Sequence, residues 1–268
     1  MGTSMSLPEI TPTLLSAGPG KHVLLAGAGL GTGALALWSD AVPFLPEFQV
    51  IGIDLPGHGA SPASAGAFSV AELAAAVAGV VSTLRAAGDI PAQGRVYYAG
   101  VSLAGGVALQ LGVDFPKLFS GLGAICTGSK LGEPQGWLDR AHTVQAQGTP
   151  TQIVGSAERW FAPGFVEHHP QASARLLHSL QDADRFSYAR CCEALAGFDI
   201  TDSLDRIEVP LVAIAGGQDT VCPPAMVKAL AGAVRHGRAE VVESAAHQAP
   251  LEAPQETAGL LSAFFAGP

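Results

Sequence analysis

Charge is scarce in this chain. Only 14% of its 268 residues are Asp, Glu, Lys or Arg, and acidic residues outnumber basic ones 23 to 14, for a net −9. Binding a nucleic-acid backbone by counterion release needs clustered Lys and Arg, so no nucleic-acid partner is expected. Cysteine is sparse too: the 4 present, Cys126, Cys191, Cys192 and Cys222, form no Cys-x-x-Cys. They make neither a disulfide framework nor a zinc site, and read as thiols of a reducing compartment. The sequence has no His-Glu-x-x-His and no clustered carboxylates, so no metal is expected. Long hydrophobic runs are missing as well. The apolar stretch from His22 to Leu37 is broken by glycines and too short to span a bilayer. Met1 to Gly20 is polar, punctuated by Pro and Gly, and lacks the basic start of an export signal. A cytoplasmic protein with no membrane partner is the expectation.

What the chain does have is apolar material, at 48% of its residues. That is enough for one large α/β domain, and the composition leaves the oligomeric state open. Short continuous apolar runs at 23–26, 50–53 and 96–100 read as buried strands, with further strands within 118–126, 209–215 and 239–242. Between them lie helical stretches such as 70–87, where Leu73, Val77, Val80, Val81 and Leu84 recur at three and four residues. Alternation of this kind predicts a mostly parallel central sheet flanked by helices. The rhythm breaks over residues 128–205, which read as helices only, at 135–147, 151–161, 171–181 and 185–198. The expected organisation is therefore a core of residues 1–127 and 206–268, with an all-helical lid at 128–205 inserted before the late strands. Such a lid lies over the carboxyl ends of the strands, where open α/β sheets bind ligands.

The sharpest local signal is Gly100-Val101-Ser102-Leu103-Ala104-Gly105, with a strand running into it and a helix leaving it. A serine on a strained strand-to-helix turn projects its hydroxyl above the sheet and needs small flanking residues. The competing reading makes Ser102 an ordinary helix cap. A serine hydroxyl is a weak nucleophile without a base and an orienting acid, which in this arrangement follow in the order Ser, acid, His. Asp219 follows an apolar strand in Ala215-Gly216-Gly217-Gln218-Asp219, and His247 follows another in Ala245-Ala246-His247. Ser102, Asp219 and His247 are accordingly the candidate nucleophile, acid and base. The expected oxyanion donors are the backbone N–H groups of Leu103 and of Leu30, the latter in the loop Gly27-Ala28-Gly29-Leu30-Gly31. That loop also invites a dinucleotide reading with Asp54 on a ribose. Its order is Gly-x-Gly-x-Gly-x-Gly, however, and lacks Gly-x-Gly-x-x-Gly, so no cofactor is expected. His58, in Asp54-Leu55-Pro56-Gly57-His58-Gly59, is expected to serve a local hydrogen bond.

Taken together, these residues resemble the α/β-hydrolase family over nearly the whole chain. The resemblance is carried by Gly29-Leu30-Gly31, the stretch from Asp54 to Ser61, Gly100-Val101-Ser102-Leu103-Ala104, Asp219, and His247 with Glu252 and Pro254 behind it. Within the insertion, Gly136-Trp137-Leu138-Asp139-Arg140-Ala141 and Thr143 to Gly148 are similar to the lid of bacterial 3-oxoadipate enol-lactonases. So are Arg159-Trp160-Phe161-Ala162-Pro163-Gly164-Phe165 and the stretch from Tyr188 to Asp199. The resemblance implies a carboxylic-ester hydrolase that opens an enol-lactone ring with water in aromatic catabolism, giving 3-oxoadipate without a cofactor. Three departures stand out. The opening before His22 is short for the paired strands that usually start such hydrolases, Pro56 stands where arginine is more usual, and Ala104 replaces the usual glycine of the elbow.

The implied partner is a small-molecule ester or lactone. A carboxylate on it would call for a cation in an otherwise apolar pocket, and Arg140, Arg159 and Arg190 are the lid candidates. Trp38, Trp137 and Trp160 either line that pocket or pack in the core. The same residues also suit a general carboxylesterase or lactonase with perhydrolase side activity. Two further readings are a hydrolase of carbon–carbon bonds in ring-cleavage products and a non-catalytic small-ligand-binding protein on the same scaffold.

Overall fold

The computed structural model describes residues 7–19 and 21–267. Residues 1–6, part of the segment read above as carrying no export signal, lie outside it. The continuous apolar runs become interior strands, each buried on both faces. In chain order the elements begin with β1 (Pro12–Ser16), β2 (His22–Gly27), α1 (Ala34–Trp38), β3 (Phe48–Ile53), α2 (Val70–Ala87), β4 (Val96–Val101), α3 (Leu103–Asp114) and β5 (Gly121–Ile125). The insertion follows as α4 (Pro134–Gln147), α5 (Ile153–Trp160), α6 (Phe165–His168), α7 (Pro170–Asp182) and α8 (Arg185–Ala196). The chain closes with β6 (Leu211–Gly216), α9 (Pro224–Ala233), β7 (Gly237–Val242), α10 (Ala249–Glu252) and α11 (Pro254–Phe265).

The strands form one seven-stranded sheet in the order β1-β3-β2-β4-β5-β6-β7. Only β1 is antiparallel, pairing with β3. Among the described residues, the opening before His22 supplies one strand, β1. It was not legible as an apolar run because an edge strand is half solvated, and Leu14 is 58% exposed. A register shift between Leu14 and Ser16 interrupts this pairing. At the opposite edge, β7 is largely exposed and carries the Arg238–Glu240 ion pair.

Helix α2 starts at a capping box. Ser69 Oγ accepts from the Glu72 amide at 3.2 Å, and a Glu72 carboxylate oxygen accepts from the Ser69 amide at 2.7 Å. The helix ends at Gly88 in the left-handed conformation. It is long and apolar enough to cross a membrane by length and composition, yet Leu73, Val77 and Val81 on its inner face belong to the core.

The topology places the site. From β2 the chain moves outward to β3 on one side, then returns to β4 on the other side of β2. The loops after β2 and β4 thus diverge, opening a crevice at the carboxyl ends of these two adjacent strands. The all-helical insertion sits over that crevice. Its ends meet in an antiparallel bridge between Lys130 and Asp199, and its middle is fastened to the core by the Asp184 amide donating to the Gly57 carbonyl at 2.8 Å.

Candidate active site

Strand β4 runs into Ser102, which adopts φ 58° and ψ −118° before α3 begins. A side chain at positive φ is strained, and the strain is imposed by close packing on both sides of the turn. Position 29 shows this: a Cβ added at Gly29 would lie 3.2 Å from the Ser102 Cβ. The elbow also explains how Ala104 is accommodated. Its Cβ lies 2.9 Å from where a Cβ would stand on either Gly27 or Gly100, so both glycines leave room for the extra methyl. Thr127 Oγ1 donates to the Ser102 carbonyl at 2.8 Å, bracing the turn from the next strand's loop.

Asp219 and His247 follow β6 and β7, and both are buried. His247 Nδ1 donates to Asp219 Oδ2 at 2.8 Å. The other carboxylate oxygen, Oδ1, accepts from the amides of Val221 at 2.8 Å and Cys222 at 3.0 Å. Burial pushes the Asp219 carboxyl up. The hydrogen bond and charge of His247, with the two amides, outweigh burial and hold it below the usual carboxylate value. An ionised Asp219 fixes the imidazole as the tautomer whose Nε2 is free to accept a proton. Behind this pair lies Cys126, whose thiol donates to the Ala246 carbonyl at 3.5 Å. Its sulfur, Asp219 and His247 lie within 4.8 Å of one another. Burial holds the thiol well above its ordinary pKa.

Ser102 and His247 open onto one cavity of about 210 Å³. That is below the ~300 Å³ at which drug-sized ligands begin to fit, so its occupant is small. Leu30 lines the cavity, and the Leu103 amide opens the first turn of α3, where N–H groups have no partner inside the helix. Of the lid residues picked out from sequence, Trp137, Arg140, Arg159 and Trp160 line the same cavity. The Arg140 guanidinium stacks over the Trp137 ring at 4.8 Å. Arg159 folds back along its helix over Gly155, where an added Cβ would come within 2.8 Å of its Nη1. Neither arginine has a salt bridge among the described residues. Burial and the neighbouring Arg140 charge hold the Arg159 guanidinium below its usual pKa.

Two of the sequence candidates lie elsewhere. Trp38 is wholly buried beneath the loop after β2, with its indole N–H donating to the Gly27 carbonyl at 3.1 Å. Satisfied there, it packs and does not line the cavity. Arg190 points from α8 toward the surface loop after β3 and donates to the Ser64 carbonyl. Asp54 is likewise engaged locally, accepting from the amides of Ala34 at 2.6 Å and Ala60 at 2.9 Å. These bonds tie the start of α1 to the turn that holds His58. As expected from sequence, His58 makes a local bond, Nδ1 to the Pro56 carbonyl at 2.9 Å.

Sequence reasoning passed over Tyr188 and Gln248, which also line the cavity, and gave no role to Glu252. Tyr188 lies in the stretch that resembled the lid, but nothing in a helical pattern marks which aromatic faces inward. Glu252 Oε1 accepts from the Ala162 amide at 2.6 Å, and Oε2 accepts from the amides of Ala246 and Gln248, each at 3.0 Å. A contact spanning ninety residues has no local sequence signal.

The model of the alpha/beta hydrolase family matches residues 23–260. The chain is 34% identical over 236 residues to 3-oxoadipate enol-lactonase 2 of Acinetobacter baylyi, covering 88% of this chain and 85% of that one. It is 29% identical over 248 residues to a pimeloyl-(acyl-carrier protein) methyl ester esterase of Neisseria meningitidis, covering 86% and 88%. The solved enol-lactonase of Burkholderia xenovorans superposes with a TM-score of 0.86 at 25% identity, covering 96% of each chain.

Proposed function

The chain belongs to the alpha/beta hydrolase family, and from that premise we propose that it opens 3-oxoadipate enol-lactone to 3-oxoadipate through an acyl-enzyme on Ser102. At the coarser level it is a carboxylic-ester hydrolase acting on lactones or esters. The observation that carries the finer reading is the shared cavity: Ser102 and His247 line it together with Arg140 and Arg159, and among the described residues no carboxylate pairs with either arginine. Two unpaired guanidiniums in a small cavity of a net acidic protein favour an anionic substrate. A lactone bearing a carboxylate supplies both the ester and the anion.

In this mechanism Ser102 Oγ attacks the lactone carbonyl as His247 Nε2 takes its proton. Asp219 stabilises the imidazolium that forms and keeps the ring oriented. The amides of Leu103 and Leu30 receive the oxyanion. Collapse expels an enolate, which takes up a proton and tautomerises to the ketone. Water, deprotonated by His247, then releases the acid from Ser102. No cofactor is required, and residues 128–205 act as the cap that keeps bulk water out.

The test compares kcat/KM for 3-oxoadipate enol-lactone with that for a small uncharged activated ester, on wild type and on Ser102→Ala. A lactone preference of at least ~10³, lost in the variant, corresponds to about 4 kcal/mol of transition-state discrimination and supports both mechanism and substrate. Equal, weak rates on both compounds leave the general carboxylesterase reading, which the methyl ester esterase relative favours. Full activity in Ser102→Ala would overturn the serine mechanism.

A further inference from the structure

His247 is held from two directions. The three consecutive amides of Ala246, His247 and Gln248 all point at acceptors. The outer two donate to one oxygen of Glu252, each at 3.0 Å, and the middle one donates to the Trp160 carbonyl at 3.1 Å. The other oxygen of Glu252 accepts from the Ala162 amide at 2.6 Å. These four bonds close a ring between the loop that carries the base and the segment that leaves α5. Trp160, the last residue of α5, also lines the cavity.

We infer that Glu252 is a positioning residue for the base: its carboxylate fixes the backbone of His247 and ties it to the lid segment that walls the substrate cavity. The inference rests on the serine-hydrolase reading above. Both carboxylate oxygens are needed, because all three of their partners are donors. A carboxamide would offer one acceptor and turn an N–H against an N–H on the other side. A base displaced by about 1 Å through loss of such a brace costs on the order of 10²-fold in rate.

Three variants separate the parts. Glu252→Gln is expected to lower kcat for the lactone at least ~10-fold with KM nearly unchanged. The rate at which a fluorophosphonate labels Ser102 should fall by a similar factor. The downfield proton NMR signal of the His247 Nδ1–H, bonded to Asp219, should shift or broaden. Glu252→Asp keeps the charge but is one methylene short, and should not restore the rate. Ala162→Pro removes only the lid donor, and Phe161 before it is already extended, as a residue preceding proline must be. It is expected to raise KM while leaving the His247 proton signal in place.

Wild-type kcat and an unmoved His247 signal in Glu252→Gln would overturn the positioning role. An unchanged KM in Ala162→Pro would overturn the tie to the lid, and this variant carries the test alone if Glu252→Gln does not fold. Wild-type protein that the fluorophosphonate leaves unlabelled at Ser102 would instead sink the serine mechanism, whatever the Glu252 variants do.

Discussion

A Cβ placed on Gly100 would lie 2.3 Å from the carbonyl oxygen of Ala104, across the turn that carries Ser102. The contact is with backbone, which cannot swing aside, so the turn can tighten only because position 100 has no side chain. Gly100→Ala is therefore expected to destabilise the fold by about 3 kcal/mol or more, as overpacking against a rigid neighbour does, and to abolish turnover. Ala104→Gly removes a methyl that is already accommodated. It should cost about 1 kcal/mol through helix propensity and keep activity within a few-fold. Denaturant unfolding and kcat on the two variants check the contrast; a destabilised but fully active Gly100→Ala would show that the turn is not shaped by this contact.

The paired arginines lead to a second expectation. Arg159→Met or Arg140→Met should raise KM for the carboxylate-bearing lactone by roughly 10- to 100-fold, the scale of a lost charge-assisted contact. Hydrolysis of an uncharged ester should change little. Arg140 also stacks on Trp137, so its variant tests charge and packing together, whereas the Arg159 variant is the cleaner reading. Steady-state kinetics with both substrates decide the matter, and an equal loss on both would make the arginines structural.

His58 predicts a pH dependence of stability. Its Nδ1 is bonded to the Pro56 carbonyl, while its Nε2 is buried without a partner. Protonation would bury an unsatisfied N–H and a charge. Burial accordingly lowers its pKa from 6.5 to about 4, against the opposing effects of the Pro56 bond and the Asp184 charge. A folded pKa below the unfolded one contributes stability that is complete above pH 6.5 and lost as the pH falls toward 4. The loss across that window is on the order of 3 kcal/mol. Asp54 and Glu252, whose carboxyls burial pushes up, act in the opposite sense as the pH falls. Unfolding free energies of wild type and His58→Gln across this range should show a steep slope in the first and a shallower one in the second. Parallel slopes would rule His58 out as the source.

The interior of the molecule was legible in sequence because burial on both faces writes itself as continuous apolar runs such as Val23 to Ala26. The edges were not: β1 mixes exposed and half-buried residues, and its pairing with β3 depends on a partner some forty residues away. In the same way, Ser102, Asp219 and His247 could be picked out because each stands at the end of its own strand. The wall facing them could not be resolved residue by residue. Arg159 and Arg190 look alike in a helical pattern, and only the packing of the lid decides that one lines the cavity and the other reaches Ser64. For Trp38, which sequence leaves between the pocket and the core, the place after the glycine loop says nothing about the Gly27 carbonyl that its indole N–H meets.

The bulge in β1 has a consequence for how these molecules behave when crowded together. An open parallel sheet offers two rows of unpaired backbone groups, and a straight, apolar row is a template on which another chain can add. Here the register slip after Leu14, with a proline at the head of the strand, breaks the hydrogen-bonding repeat at one margin. At the other margin Arg238 and Glu240 charge the outermost strand. An incoming strand would meet an interrupted ladder at one margin and a charged strand at the other, and neither is a straight apolar template.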